Sequence, residues 1–294
     1  APMMQEMPKI PAPRAYLDGL SLNDEATGIH YADFLEEKIL AEGPETVLAF
    51  IVEPIGGAST GALVPPAGYL KRIREICDKY CVLLIHDEVM TGGGRTGLFF
   101  GAEHWDVTPD IIALSKGFGG GYMPLGAMTA RDELIEAVLN EGGFAHGFTY
   151  AGNPLACTAG LAVIDEIEDQ KLLDNTTRVG SLLKSRLHDL MVKYEMIGDV
   201  RGKGLLLAFE LVSNRETMQP LPKELDAHLR LVDIAYDNGL IIYARRTRGG
   251  IEGDHFLVCP PMITTNEQVD EIIQVLDKSL AQFEVEISRL QKAG

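Results

Sequence analysis

Two apolar runs of strand length, VLAFIVE (47–53) and VLLIHDE (82–88), most constrain how this 294-residue chain folds. Both are rich in Val, Ile and Leu, and neither alternates with polar residues. Strands of a parallel sheet covered on both faces have that pattern. Between them, PPAGYLKRIREICDKY opens on proline and repeats Leu70, Ile73 and Ile76 at helical spacing. Strand, helix, strand in this order is a βαβ unit. DIIALSK (110–116) and PLGAMTA (124–130) read as two more strands. After GNPLACTAGLAVIDEIE the texture changes. A long helical stretch runs to about residue 194, followed by RGKGLLLAFELV, a helix near 224–238, two short strands and an amphipathic helix from Asn266. The expectation is an α/β large domain over 1–160, its mainly parallel sheet having helices on both faces. A smaller α+β domain over 161–294 follows.

Charge and cysteine content narrow the function. A formal net charge of -17 leaves no basic field for nucleic acid. No stretch approaches the roughly 18 apolar residues of a membrane span, and the prolines of APMMQEMPKIPAPRAY are unlike a signal peptide. Cys77, Cys81, Cys157 and Cys259 are too few and too scattered for a disulfide scaffold. Four reduced and mostly buried cysteines in a cytoplasmic protein are expected. His86, His104 and His255 have no spacing that suggests a shared metal-binding face, so no metal is expected.

GGGRTG (92–97) satisfies the dinucleotide pattern G-x-G-x-x-G and follows a strand. The pattern also requires a helix opening from the loop and an acidic residue ending the next strand. Here LFFGAEHW follows, and Asp110 precedes the next strand, so a nicotinamide site is not expected. Lys116 is the more informative residue. It ends an apolar run and leads into glycines 119–121, whereas phosphate-loop glycines precede their lysine. A lysine amine can trap a carbonyl as a Schiff base, as with pyridoxal phosphate. That cofactor needs an acidic partner for its ring nitrogen, and Asp87 ends the preceding strand at the same sheet edge. Taken singly, Lys116 also reads as a solvent charge, Asp87 as a turn cap and the glycines as a plain turn.

Together, FIVEPIGGASTG, LLIHDEVMTGGGRTGLFFGAEHWDVTPDIIALSKGFGGGYMPLGA, HGFTYAGNPLACTAGLAVIDEIE and GDVRGKGLLLAFELV resemble the class III pyridoxal-phosphate aminotransferases, the ω-aminotransferase group. The resemblance implies a fold-type-I architecture and pyridoxal 5'-phosphate as cofactor. It makes Lys116 the Schiff-base lysine and Asp87 the partner of the pyridine nitrogen. Val89 packs on the ring, Thr149 binds the phosphate across a homodimer interface, and Glu53 lines the substrate side. The implied reaction is ping-pong transfer of an amino group from an ω-amino acid or amine to a 2-oxo acid, with pyruvate the favoured acceptor. Decarboxylation, an aminomutase shift or a non-catalytic binding role are the alternatives.

The departures are equally specific. Met90 stands where glutamine is common after DEV, and Gly93 replaces an aromatic. Leu257 occupies the position of an arginine that, in some relatives, holds an α-carboxylate. Nothing in residues 1–46 resembles the family's glycine-serine phosphate loop, so the chain is expected to be the C-terminal two thirds of a longer protein. Arg245, Arg246 and Arg248, in YARRTRGGIEGDH, are candidate carboxylate-binding residues, with three solvated surface arginines as the alternative. Arg201, in DVRGKG, matches the family pattern without an evident role.

Overall fold

The computed structural model describes residues 7–248 and 250–293. An N-terminal segment leads to α1 (Glu25–Glu42), β1 (Ala49–Val52), α2 (Tyr69–Tyr80), β2 (Leu83–Asp87), β3 (Ile111–Leu114) and β4 (Ala127–Ala130). The sheet order is β1-β2-β3-β4, the first three strands parallel and β4 antiparallel. The βαβ unit thus forms as its apolar spacing predicts. α2 buries Leu70, Ile73, Ile76 and Cys77 against Tyr31, Leu35 and Ile39 of α1 and Leu84 of β2. Each such fully buried aliphatic side chain contributes roughly 1.5–3 kcal/mol. The opposite face of the sheet carries Ile51, which is 60% exposed, and Asp87 at its carboxyl edge.

α3 (Asp132–Asn140) and α4 (Pro154–Asp169) follow, then α5 (Leu172–Lys193). The single long helical stretch expected to residue 194 is therefore two helices, broken at Lys171 in the left-handed region (φ 51°). The break lets them serve different partners. α4 packs on the turn beginning at Lys116, whereas α5 buries Val179, Leu183, Leu187 and Leu190 against the second sheet.

That second sheet comprises β5 (Ile197–Lys203), β6 (Leu206–Asn214), β7 (Gln219–Pro220), β8 (Tyr243–Arg248) and β9 (Glu252–Val258). Its antiparallel order is β5-β6-β9-β8, with β7 on β6. One face is covered by α5, by α6 (Ala227–Asp237) and by α7 (Asn266–Ala293), with the Phe209 and Phe256 rings stacked 4.9 Å apart at its centre. The other face brings Leu206, Ala208 and Leu257 against Ile55 and Ala62 of the first sheet's β1–α2 connection.

All four cysteines are free, but only Cys77 is buried and Cys259 half-buried. Cys81 and Cys157 are exposed, correcting the expectation of mostly buried thiols. Cys81 lies just past the end of α2 and Cys157 in the first turn of α4, where no core is packed against them. No helix among the described residues is long and apolar enough to cross a membrane.

Candidate active site

Parallel pairing places Asp87 opposite Ala113, so β2 and β3 end together at one sheet edge. β3 stops at Leu114, two residues before Lys116, which opens a short 3-10 turn over residues 116–119. Lys116 holds φ 48°, a left-handed conformation costing an L-residue roughly 1–2 kcal/mol. Left-handed Gly120 and Gly121 then turn the chain back toward β4. Ser115 Oγ donates to the Leu125 carbonyl (3.1 Å) and closes the loop at its base. The result is an open cleft of about 650 Å³ lined by Ser115, Lys116 and residues 121–126. Sequence reasoning singled out Lys116 here but missed Tyr122, an exposed aromatic on the cleft wall that had no motif to mark it.

Asp87 accepts the Val89 N–H at its Oδ1 (3.1 Å), the turn-cap geometry, while its Oδ2 has no hydrogen-bond partner among the described residues. Half-buried Val89 offers an apolar surface beside it. Glu53 lies one residue past β1 and accepts the Gly57 N–H (3.0 Å). Burial pushes its carboxyl above the usual carboxylate range. The nearby Asp87 charge adds to that shift, and the Gly57 N–H and Lys116 ammonium oppose it. Glu53, Asp87 and Lys116 thus form one electrostatic group, contributed by three neighbouring strand ends. Among the described residues, an amine free of ion pairs, a carboxylate with one uncommitted oxygen and an adjacent valine fit a carbonyl cofactor with a protonated ring nitrogen.

Other candidates lie apart. Thr149 is exposed in the loop between α3 and α4, makes no hydrogen bond among the described residues and does not line the cleft. Met90 packs beside Gly57, near Glu53, where its thioether offers no N–H or O–H donor. Leu257 is buried with Ile55 and Ala62, so it belongs to the apolar contact between the two sheets. Register separates the arginines. Arg245 pairs with His255, on the sheet face that also carries Leu257, and its Nε donates to the Tyr243 hydroxyl (2.6 Å). Arg246 pairs with Asp254 on the reverse face, bound to Asp226 (2.6 Å) and the Lys223 carbonyl (2.9 Å). The Arg248 side chain lies outside the described residues.

A mainly parallel sheet with lysine and aspartate at its carboxyl edge, joined to a second antiparallel sheet, defines a fold-type-I pyridoxal-phosphate-dependent architecture. The family model for class-III aminotransferases matches residues 1–280. This chain belongs to that family, whose members depend on pyridoxal phosphate. It is 38% identical to the putrescine–pyruvate aminotransferase of Pseudomonas aeruginosa, over 93% of this chain and 58% of that protein. It is 40% identical to the taurine–pyruvate aminotransferase of Bilophila wadsworthia, over 87% of this chain and 57% of the relative. The crystal structure of an amine transaminase from an uncultivated Pseudomonas species, in its PLP-bound form, superposes with a TM-score of 0.81 at 39% identity. That match covers 88% of this chain and 57% of the other. The chain therefore spans a little over half the length of these relatives.

Proposed function

We propose that the protein transfers an amino group from an ω-amino acid or simple amine to pyruvate, using pyridoxal 5'-phosphate. The observation that carries this reading is the convergence of Lys116, Asp87 and Glu53 at one sheet edge. When bound, the cofactor supplies an electron sink that lets the carbon beside the substrate nitrogen release a proton. Lys116 would hold the cofactor's carbonyl through its amine, and the same amine would serve as the base for that proton. Asp87 would keep the ring nitrogen protonated through its uncommitted oxygen, and Val89 would give the ring an apolar wall. Glu53 lines the substrate side. Residues 1–160 act as the cofactor domain and 161–294 as the smaller domain, in a cytoplasmic enzyme.

The catalytic unit in this proposal is a homodimer in which Thr149 serves the neighbouring subunit's cofactor phosphate. An exposed hydroxyl with no hydrogen bond among the described residues supports that role. Mixing inactive Lys116→Ala subunits with inactive Thr149→Ala subunits of the holoenzyme should restore part of the activity, because one site per hybrid keeps both residues. Demonstrated subunit exchange without recovered activity would exclude it.

Arg245 is the proposed carboxylate grip. It shares the sheet face of Leu257 and His255, whereas Arg246 is occupied on the reverse face. A guanidinium holds a carboxylate through two parallel hydrogen bonds, which Leu257 cannot replace. Relatives named for putrescine and taurine with pyruvate support an ω-amine donor and this acceptor. Steady-state rates with varied donor and pyruvate should be ping-pong. Arg245→Ala should lose a carboxylate donor selectively, by about 2–4 kcal/mol in transition-state binding, and leave an uncharged amine nearly unaffected. Equal losses on both donors would remove Arg245 from the site, and ornithine as best donor would overturn the reading of Leu257.

A further inference from the structure

The residue left without a role by the sequence, Arg201, is buried with Glu210 and His255 where the second sheet meets the β1–α2 connection. Its guanidinium spends four contacts there. Nε donates to the Gly61 carbonyl (2.6 Å) and Nη2 to the Thr60 carbonyl (3.0 Å). Nη1 binds Asp199 (2.8 Å), and Nη2 also meets Glu210 (2.9 Å). The Tyr16 hydroxyl donates to the same Glu210 oxygen (2.8 Å), with the Tyr16 ring stacked on the guanidinium.

His255 holds the same turn two residues before Thr60, at Ala58. Its Nε2 lies 2.9 Å from the Ala58 carbonyl, an acceptor, so that nitrogen carries the hydrogen. Nδ1 then accepts from the Thr247 hydroxyl (2.9 Å). Burial, helped by Arg201, holds the imidazole down to about 4, which keeps it neutral in this tautomer.

Residues 57–61 form a single tight turn, in which the Gly57 carbonyl accepts from the Gly61 N–H (3.0 Å). The carbonyls of Ala58, Thr60 and Gly61 are held by His255 and Arg201. The Gly57 N–H at its start points at Glu53. Gly61 has φ 66°, and a Cβ there would lie 2.6 Å from the His255 ring and 2.8 Å from Arg201 Nη2, so the chain can come this close only as glycine.

We propose that Arg201 and His255 are positioning residues for substrate binding: by gripping the carbonyls of the 57–61 turn, they hold the Gly57 N–H on Glu53 and fix that carboxylate at the substrate side. This inference rests on the assignment of Glu53 to the substrate side, which the test checks separately.

The test is a double-mutant cycle on the holoenzyme, measuring KM and kcat for the amino donor together with the thermal midpoint. Arg201→Lys keeps a cation for Glu210, but an ammonium cannot reach two carbonyls and two carboxylates in a planar fork. It should raise the donor KM about tenfold with kcat nearly unchanged, the pattern of lost uniform binding. In a Glu53→Gln background the same change should add almost nothing to KM, because both substitutions act through one carboxylate. His255→Leu should behave likewise, and His255→Gln, which keeps an N–H for Ala58, should recover most of the loss. If Arg201→Lys does not fold, the His255 pair completes the cycle, since neither variant strands a buried charge. KM effects that simply add to those of Glu53→Gln, or a fall in thermal midpoint with no change in KM, would overturn the inference while leaving the Glu53 assignment intact. A Glu53→Gln enzyme with unaltered kinetics would overturn both.

Discussion

Replacing Lys116 with alanine is expected to reduce transamination by about 10⁴-fold or more while leaving the protein folded. The substitution removes the group proposed to hold the cofactor's carbonyl together with the proposed base for the substrate proton, and general base catalysis alone is worth roughly 10²–10⁴. The fold should tolerate the change, because Lys116 is exposed at the cleft and no described ion pair or hydrogen bond depends on its ammonium. Alanine inherits the left-handed backbone at residue 116, at a strain similar to the lysine's. Two measurements check this. Borohydride reduction of the cofactor-loaded enzyme should leave a pyridoxyl group on Lys116, found by peptide mass, and the alanine variant should show none at any lysine. Near-normal turnover of the variant without an added amine would show that another residue is the catalyst.

Asp87→Asn is expected to cost roughly a thousandfold in rate, on the order of 4 kcal/mol, as for loss of one preorganised electrostatic group. Asparagine keeps the side-chain oxygen that accepts the Val89 N–H, so the turn following β2 should survive. What it loses is the negative charge proposed to face the ring nitrogen. Cofactor affinity and thermal midpoint should therefore change far less than kcat, and a variant that loses rate only in proportion to lost cofactor would assign Asp87 a binding role alone.

Much of this was legible along the chain. Unbroken apolar runs bracketing an amphipathic segment specify a βαβ unit through local periodicity, and β1, α2 and β2 form where that periodicity puts them. The places of Lys116 and Asp87 at the sheet edge were legible for a related reason. A parallel sheet delivers the residues at its strand ends to one edge, so two chemically suited residues at consecutive strand ends become neighbours. Family membership followed from motif order, which a linear sequence preserves completely.

Tertiary structure alone decided how distant segments meet. Arg201 Nε binds the carbonyl of Gly61, 140 residues earlier in the chain, and no local pattern encodes that meeting. The helix break at Lys171 was equally silent, because apolar spacing continues through it and only the separate partners of α4 and α5 require the turn. The arginines show the reason most directly. In YARRTR three guanidiniums follow within four residues, equivalent by composition. Side chains alternate faces along a strand, so the pairing of Arg245 with His255 and of Arg246 with Asp254 sends neighbours to opposite sides of the sheet. The sequence by itself determined where the β1–α2–β2 unit forms and which residue types stand at its strand ends, because these depend on local period and residue type. Which face each side chain presents, and what it meets there, was decided by register and packing between segments far apart in the chain.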